Sequence, residues 1–132
     1  MRAGLSIMSQ TTDLHIEVLT QYVAEESNPT LSQYLFAYTI KIRNMGPVAA
    51  QIISRHWIIE DGNNNEQTVS GLGVVGQQPL IRAGEVFEYT SACPLSTPFG
   101  TMRGSYHCVG ENGVPFDVEI PLFVLSLPEK LH

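Results

Sequence analysis

Alternation of apolar and polar residues is the feature that most constrains how this chain can fold. From Gln33 to Arg43, aromatic and aliphatic residues occupy every second position, and mostly polar or small residues fill the positions between. Successive side chains of a strand point to opposite faces, so this pattern predicts a strand with one buried and one solvated face. Similar runs begin at Phe87 and Phe116. One-sided strands of this kind indicate an antiparallel sheet.

Turn-forming residues divide the chain into seven or eight short strands. Gly, Pro, Asn and Asp cluster between the apolar runs, as at residues 44–47 and 61–64, and no segment keeps the 3.6-residue period of a helix. We expect strands near residues 12–23, 32–44, 49–60, 66–71, 79–82, 84–93, 101–110 and 114–124. The pair Asn112-Gly113 predicts a type I′ hairpin turn, because both residues tolerate positive φ.

Short strands separated by turns are typical of a β-sandwich or a barrel. The single tryptophan, Trp57, falls in the third predicted strand, where immunoglobulin-like folds bury a core aromatic residue. We therefore predict an all-β fold, an immunoglobulin/fibronectin type III-like sandwich with Trp57, Tyr38, Phe87 and Tyr106 in its core. Tyr106 lies two residues before Cys108 and is also a candidate for a tyrosine corner, in which the hydroxyl bonds to backbone.

Size and charge limit the classes of function. A chain of 132 residues predicts one domain, placed at 12–127, with a flexible N-terminus at 1–11 and a tail at 128–132. The net charge of −6, from 13 acidic and 7 basic residues, opposes nucleic-acid binding, which requires a concentration of basic residues. The N-terminus lacks the apolar core of a signal peptide, and no window has the ~18 apolar residues of a membrane span. We expect a cytoplasmic protein.

Cysteines and histidines give no metal signature. Cys93 and Cys108 are expected to be reduced in the cytoplasm, although a bridge between them would close a loop of about 15 residues in an oxidising compartment. Neither cysteine has a CxxC partner, and no two histidines are spaced to share one strand face. We predict no metal site from the four histidines, which are His15, His56, His107 and His132.

No set of catalytic residues can be recognised in the sequence. His107 and Cys108 are adjacent, so a regular strand would point them to opposite faces. The nucleophile-elbow pattern Gly-x-Ser-x-Gly does not occur. Neighbouring carboxylates such as Glu60 and Asp61 fall in predicted loops, where solvated charge is the ordinary role. We predict that the chain is not an enzyme and carries no cofactor.

Two groups of motifs resemble a known family. One is Ser54-Arg-His-Trp57 with the later Gly71-x-Gly73-x-x-Gly76, and the other is Gly100-Thr-Met-Arg-Gly-Ser-Tyr106 with the closing run at 116–121. Together they resemble the ApaG domain family over about residues 14–127. The resemblance implies an immunoglobulin/fibronectin type III-like sandwich, no known enzymatic activity, and an adaptor role in protein–protein interaction.

The glycine-rich segment Gly71, Gly73, Gly76 allows two interpretations. A dinucleotide-binding turn is excluded, because that motif opens a helix and here Pro79 follows closely. The backbone N–H groups can instead form a nest for an anion, with Arg55 beside it and Arg82 or Arg103 neutralising charge. Alternatively, the glycines only shape a sharp loop, and Arg55 bonds to carbonyls or stacks on an aromatic ring.

The most favoured function from the sequence is a non-catalytic module that binds another protein through its sheets, edges or loops. The alternative is a nucleotide or polyphosphate site at the glycine-rich loop. The resemblance adds to this alternative a genetic association with diadenosine polyphosphates and a link to Co²⁺ and Mg²⁺ homeostasis. A homodimer formed by edge strands is left open, since Lys41 and Arg43 protect only one candidate edge.

Overall fold

Eight β-strands form within residues 13–128, the part of the chain that this computed structural model describes. Two short 3₁₀ turns, Ala24–Glu26 and Pro29–Leu31, lie between the first two strands. The predicted flexible N-terminus and all of the predicted tail except Pro128 lie outside the described residues, as does His132. The strands are β1 (Leu14–Tyr22), β2 (Tyr34–Asn44), β3 (Ala50–Asp61), β4 (Glu66–Leu72), β5 (Leu80–Ile81), β6 (Val86–Leu95), β7 (Phe99–Gly110) and β8 (Pro115–Ser126).

The strands make two antiparallel sheets that pack as a sandwich. One sheet has the order β1-β2-β6, and the other has the order β4-β3-β7-β8, with the short β5 also paired to β3. This arrangement confirms the predicted all-β sandwich, while its closer assignment to the immunoglobulin or fibronectin type III class stays a prediction. Lys41 and Arg43 lie on β2, which has a partner strand on each side. They therefore do not protect an edge, contrary to the expectation from sequence.

The alternating residues of β2 and β3 supply the centre of the core. Phe36, Ile40 and Ile42 are fully buried, because every second side chain of β2 faces the opposite sheet. The rings of Tyr38 and Trp57 meet edge-to-face with their centroids 5.5 Å apart, which is a favourable geometry for aromatic pairs. Both rings are buried, whereas Phe87 is only partly buried against the core.

Two tyrosines form a buried polar contact between the sheets. Tyr106 on β7 is fully buried, and its hydroxyl hydrogen-bonds to the hydroxyl of Tyr89 on β6. Burial raises the pKa of both phenols, and no buried side-chain oxygen or nitrogen in the described part of the chain lacks a partner. The tyrosine-corner prediction is wrong, because the Tyr106 hydroxyl bonds to another side chain instead of to backbone.

The β7–β8 turn differs from the predicted type I′ turn. Gly113 has a φ of 82° and donates its N–H to the carbonyl of Gly110, but Asn112 is not among the residues with positive φ. One left-handed glycine after a turn is the pattern of a three-residue hairpin loop with a bulge. Asn112 instead uses its side-chain oxygen to accept the N–H of Val114, which is a local bond that its short side chain favours.

Candidate functional site

The glycine-rich segment forms a tight loop between β4 and β5. Gly73 donates its N–H to the carbonyl of Ile53 and has a φ of 67°. Val74 and Gln77 exchange two backbone hydrogen bonds around Val75 and Gly76, both of which have positive φ. Positive φ at both central residues is the pattern of a type I′ turn. A β-carbon at Gly73 would lie 2.3 Å from the Gln77 carbonyl oxygen, so the loop requires glycine there.

The loop uses half of its own N–H groups. Gly73, Val74 and Gln77 each donate to a backbone carbonyl, which leaves the N–H groups of Val75, Gly76 and Gln78 without backbone partners. An anion nest requires consecutive N–H groups that converge on the ligand. A phosphate at this loop would therefore meet two consecutive donors, and the predicted anion site stays a prediction.

Arg55 lies on the inner face of β3 and reaches across β4 to this loop. Its Nη1 donates to the carbonyl oxygens of Leu72 at 3.1 Å and Gly73 at 3.0 Å. The guanidinium covers Gly71, where a β-carbon would lie 3.0 Å from Nη1. Arg55 therefore fastens the end of β4 to β3, whatever else it binds.

Arg103 does not extend the predicted anion site. Arg103 on β7 pairs with Ile58 in register, so its side chain lies on the outer face of the sheet, opposite to that of Arg55. It makes an exposed ion pair with Glu66 at 3.4 Å. Arg82 follows β5, and its backbone N–H donates to the Glu85 carboxylate. Opposite faces separate the charges of Arg55 and Arg103, so these two guanidinium groups cannot neutralise one phosphate together.

A serine, a histidine and an aspartate that sequence reasoning did not connect form one row across the outer face. Ser54, His107 and Asp117 are register partners on β3, β7 and β8. The His107 Nδ1 lies 2.7 Å from the Asp117 carboxylate, but no hydrogen bond joins the Ser54 hydroxyl to His107. Serine catalysis requires that contact between nucleophile and base, so the row is not assembled for it.

The cysteines are buried, and the described histidines form no metal site. Cys93 and Cys108 are free and buried, and burial raises the pKa of the Cys93 thiol to about 11 and of the Cys108 thiol to about 12. A thiol with a raised pKa stays protonated and is a poor nucleophile. Within residues 13–128, no three His, Cys, Asp or Glu side chains are close enough together to hold a metal ion. No helix in the same range is long and apolar enough to cross a membrane.

The most distinctive surface is the outer edge of β4. Every residue of this strand except Gly71 is exposed, and within residues 13–128 only β3 pairs with it, so its other edge presents backbone N–H and C=O groups that no described strand pairs with. Four apolar side chains, which we call the apolar rim, are exposed on β4 and its continuation to β5: Val69, Leu72, Val75 and Leu80. Leu72 is 76% exposed. An open strand edge beside an apolar rim can bind an extended chain.

Sequence reasoning missed this edge, although a weak signal was present. In β4 the apolar residues Val69 and Leu72 are three positions apart, whereas a strand with one buried face has apolar residues at every second position. The broken alternation indicates a strand that the opposite sheet does not cover. It does not indicate which side of the strand is unpaired, because pairing order depends on distant segments.

Comparison with known proteins shows similarity over most of the chain. The model of the ApaG domain family matches residues 24–110. The protein ApaG of Bordetella pertussis is 62% identical over 120 residues, covering 91% of this chain and 92% of its own length. The protein ApaG of Dechloromonas aromatica is 54% identical over 127 residues, covering 95% of this chain and 100% of its own length. These names specify no reaction.

A solved structure shows the same fold. The crystal structure of the ApaA protein from Bordetella pertussis superposes with a TM-score of 0.87 at 61% identity and covers 89% of this chain and 96% of that one. The family match spans more than half of the chain, and the full-length relatives exceed half identity. The chain therefore belongs to the ApaG domain family.

Proposed function

We propose that this chain is a non-catalytic binding module that recognises another protein through the outer edge of β4. The observation that carries the proposal is the combination of an unpaired strand edge with the apolar rim. Natural proteins usually block open edges with Lys, Pro or bulges, because such edges pair readily with other chains. Residues 66–72 contain neither Lys nor Pro. An edge that is left open and bordered by apolar side chains is suited to bind a strand from a partner.

The chemistry of the remaining surface supports a binding role over catalysis. The thiols are buried, the row of Ser54, His107 and Asp117 lacks its nucleophile–base contact, and Arg55 is bonded to carbonyls. The buried free thiols of Cys93 and Cys108 suit a reducing compartment, so we propose that the module acts in the cytoplasm.

Site-specific photo-crosslinking in living cells tests the proposal. A photoreactive residue at Leu72 should form a covalent adduct with a defined protein, and the same residue at Leu19 should not. Leu19 is the matched control because it is 69% exposed on the outer face of the other sheet. The Leu72 adduct should disappear when Val69→Lys is introduced into β4. Adducts that form equally from Leu72 and Leu19, or that survive Val69→Lys, would reject β4 as the binding edge.

A second experiment tests the non-catalytic part of the proposal. A fluorophosphonate probe labels serines that an adjacent base has activated. The purified protein should remain unlabelled, because the Ser54 hydroxyl makes no hydrogen bond with His107. Labelling that Ser54→Ala abolishes would show that the outer-face row is a hydrolytic site.

A further inference from the structure

The Arg55 guanidinium is a positive charge without a carboxylate partner in a strongly acidic protein. The chain carries 13 acidic and 7 basic residues. Among the described residues, the two ion pairs are those of Arg103 with Glu66 and of His107 with Asp117, and neither includes Arg55. The side-chain hydrogen bonds of Arg55 come from Nη1 and end on two neutral carbonyls. Its charge therefore remains available to an anionic group.

Because Gly71 has no side chain, it does not cover the Arg55 guanidinium at the edge of the sheet. Arg55 pairs with Gly71 in register, and Trp57 pairs with Val69, so Val69 and Gly71 lie on the same inner face two positions apart. The guanidinium lies where a β-carbon of residue 71 would begin, with Nη2 at 3.2 Å from that point. A strand added outside β4 would have Arg55 as its side-chain neighbour at this position.

We infer that the outer edge of β4 binds an extended acidic segment of another protein and reads its side chains through Val69 and Arg55. The segment places an apolar side chain beside Val69 and, two residues away on the same face, a carboxylate beside Gly71. Backbone hydrogen bonds along β4 hold the segment as an added strand. The carboxylate accepts hydrogen bonds from Arg55, and such charge-assisted bonds are about twice as strong as neutral ones. This inference rests on the proposed function and adds the chemistry of the partner.

The β4 strand of a second copy does not meet this requirement. The inner-face residues of β4 are Gln67, Val69 and Gly71, since they pair in register with the inward-facing residues of β3. The one carboxylate of β4 belongs to Glu66, which points to the outer face and binds Arg103. A β4 strand from another copy therefore offers Arg55 an amide at best, which disfavours a symmetric β4–β4 dimer.

Synthetic peptides provide the test. One set consists of seven-residue peptides of alternating Thr and Val, and each peptide has a single Asp at a different position. A matched set has Asn at the same positions. Amide shifts of the isotope-labelled protein during titration report where and how tightly each peptide binds. We expect saturable shifts at residues 66–72 and a single register in which Asp binds about tenfold more tightly than Asn, equivalent to about 1.4 kcal/mol. That preference should vanish in Arg55→Gln and persist in Arg103→Gln, which removes a guanidinium from the other face.

The comparison of Asp with Asn is made on the unchanged protein, so it remains decisive even if Arg55→Gln fails to fold. Equal affinity of the Asp and Asn peptides at β4 would overturn the role of Arg55 and leave the proposed binding edge intact. Shifts elsewhere but not at residues 66–72 would overturn the inference, while the crosslink from Leu72 would still test the proposed function independently. Concentration-dependent shifts at β4 without peptide would assign the edge to a second copy and also overturn the inference.

Discussion

β4 and β7 both pair with β3 in the same sheet, yet their side chains have opposite environments. In β7, Met102, Tyr106 and Cys108 are buried at alternate positions, whereas every residue of β4 except Gly71 is exposed. The opposite sheet explains the difference, because it contacts β7 through the bond between Tyr89 and Tyr106 but leaves β4 uncovered. Two strands with the same neighbour thus differ in environment: β7 belongs to the core, and β4 forms an exposed edge, which we propose is the binding surface.

The largest expected effect is that of Gly104→Ala in β7. A β-carbon at Gly104 would lie 2.0 Å from the carbonyl oxygen of His56, so β3 and β7 would have to separate locally. We expect the free energy of unfolding, measured with denaturant, to fall by about 4 kcal/mol or more. The control is Gly76→Ala, where no atom lies within 4 Å and only the φ of 80° is unfavourable. Its expected cost is about 1 kcal/mol, and equal losses at the two sites would contradict this explanation.

Truncating one apolar side chain in β7 and one in β4 compares how much each strand contributes to stability. Met102→Ala in β7 should lower the free energy of unfolding by about 3 kcal/mol, because it leaves a cavity where the side chain is 1% exposed. Val69→Ala in β4 should cost less than about 1 kcal/mol, because this side chain is already 36% exposed. Similar losses for both variants would show that β4 belongs to the core after all.

Removing the hydroxyl contact between the sheets should have an intermediate effect on the free energy of unfolding. Tyr106→Phe removes one hydroxyl and leaves that of Tyr89 buried without a partner, which should cost about 2 kcal/mol of unfolding free energy. The double variant with Tyr89→Phe should recover part of this loss, because no polar group is then stranded. A double variant whose loss equals the sum of the single losses would contradict the assigned contact.

Alkaline pH should lower the free energy of unfolding through the buried Cys108 of β7. Burial raises the pKa of Cys108 to about 12, above its value in the unfolded chain, so the unfolded state loses this proton first as the pH rises. The stabilisation is therefore complete below about pH 8 and is lost as the pH rises towards 12. Between about pH 8 and pH 10 we expect a loss of about 1 kcal/mol that Cys108→Ala removes. An unchanged pH profile in that variant would exclude Cys108 as the cause.

The smallest expected effect on stability is that of Val69→Lys. The side chain is at an exposed edge, so the free energy of unfolding should change by less than about 0.5 kcal/mol. The same variant should abolish peptide binding at β4, since Lys disfavours the addition of a strand at an edge. Retained binding with unchanged stability would mean that the edge is not the recognition surface.

Most of the fold could be predicted from the sequence because strand alternation is a local signal. The run from Tyr34 to Ile42 identified β2, and all eight strands were placed within a few residues of their observed ends. Turn geometry was less predictable. Asn112-Gly113 carries the usual residues for a type I′ turn but forms a bulged loop, whereas a type I′ pattern occurs around Val75, a β-branched residue that disfavours positive φ.

The candidate site was only partly predictable for a different reason. The sequence placed Arg55 and Trp57 on one strand face, and the structure has both on the inner face of β3. It could not show that the guanidinium crosses Gly71 to the carbonyls of Leu72 and Gly73, because that contact depends on how β4 pairs with β3. The open edge of β4 is likewise a consequence of strand order, which arises from contacts between distant segments.

Hydrogen exchange on β4 and β7, with and without a saturating Asp-bearing peptide, tests the central claim most directly. The predicted result is that β7 amides are protected in both conditions, while outward-facing amides of β4 exchange quickly in the free protein and become protected only with the peptide. The contradictory result is that β4 amides exchange at the same rate with and without peptide, or are already as protected as those of β7 in the free protein.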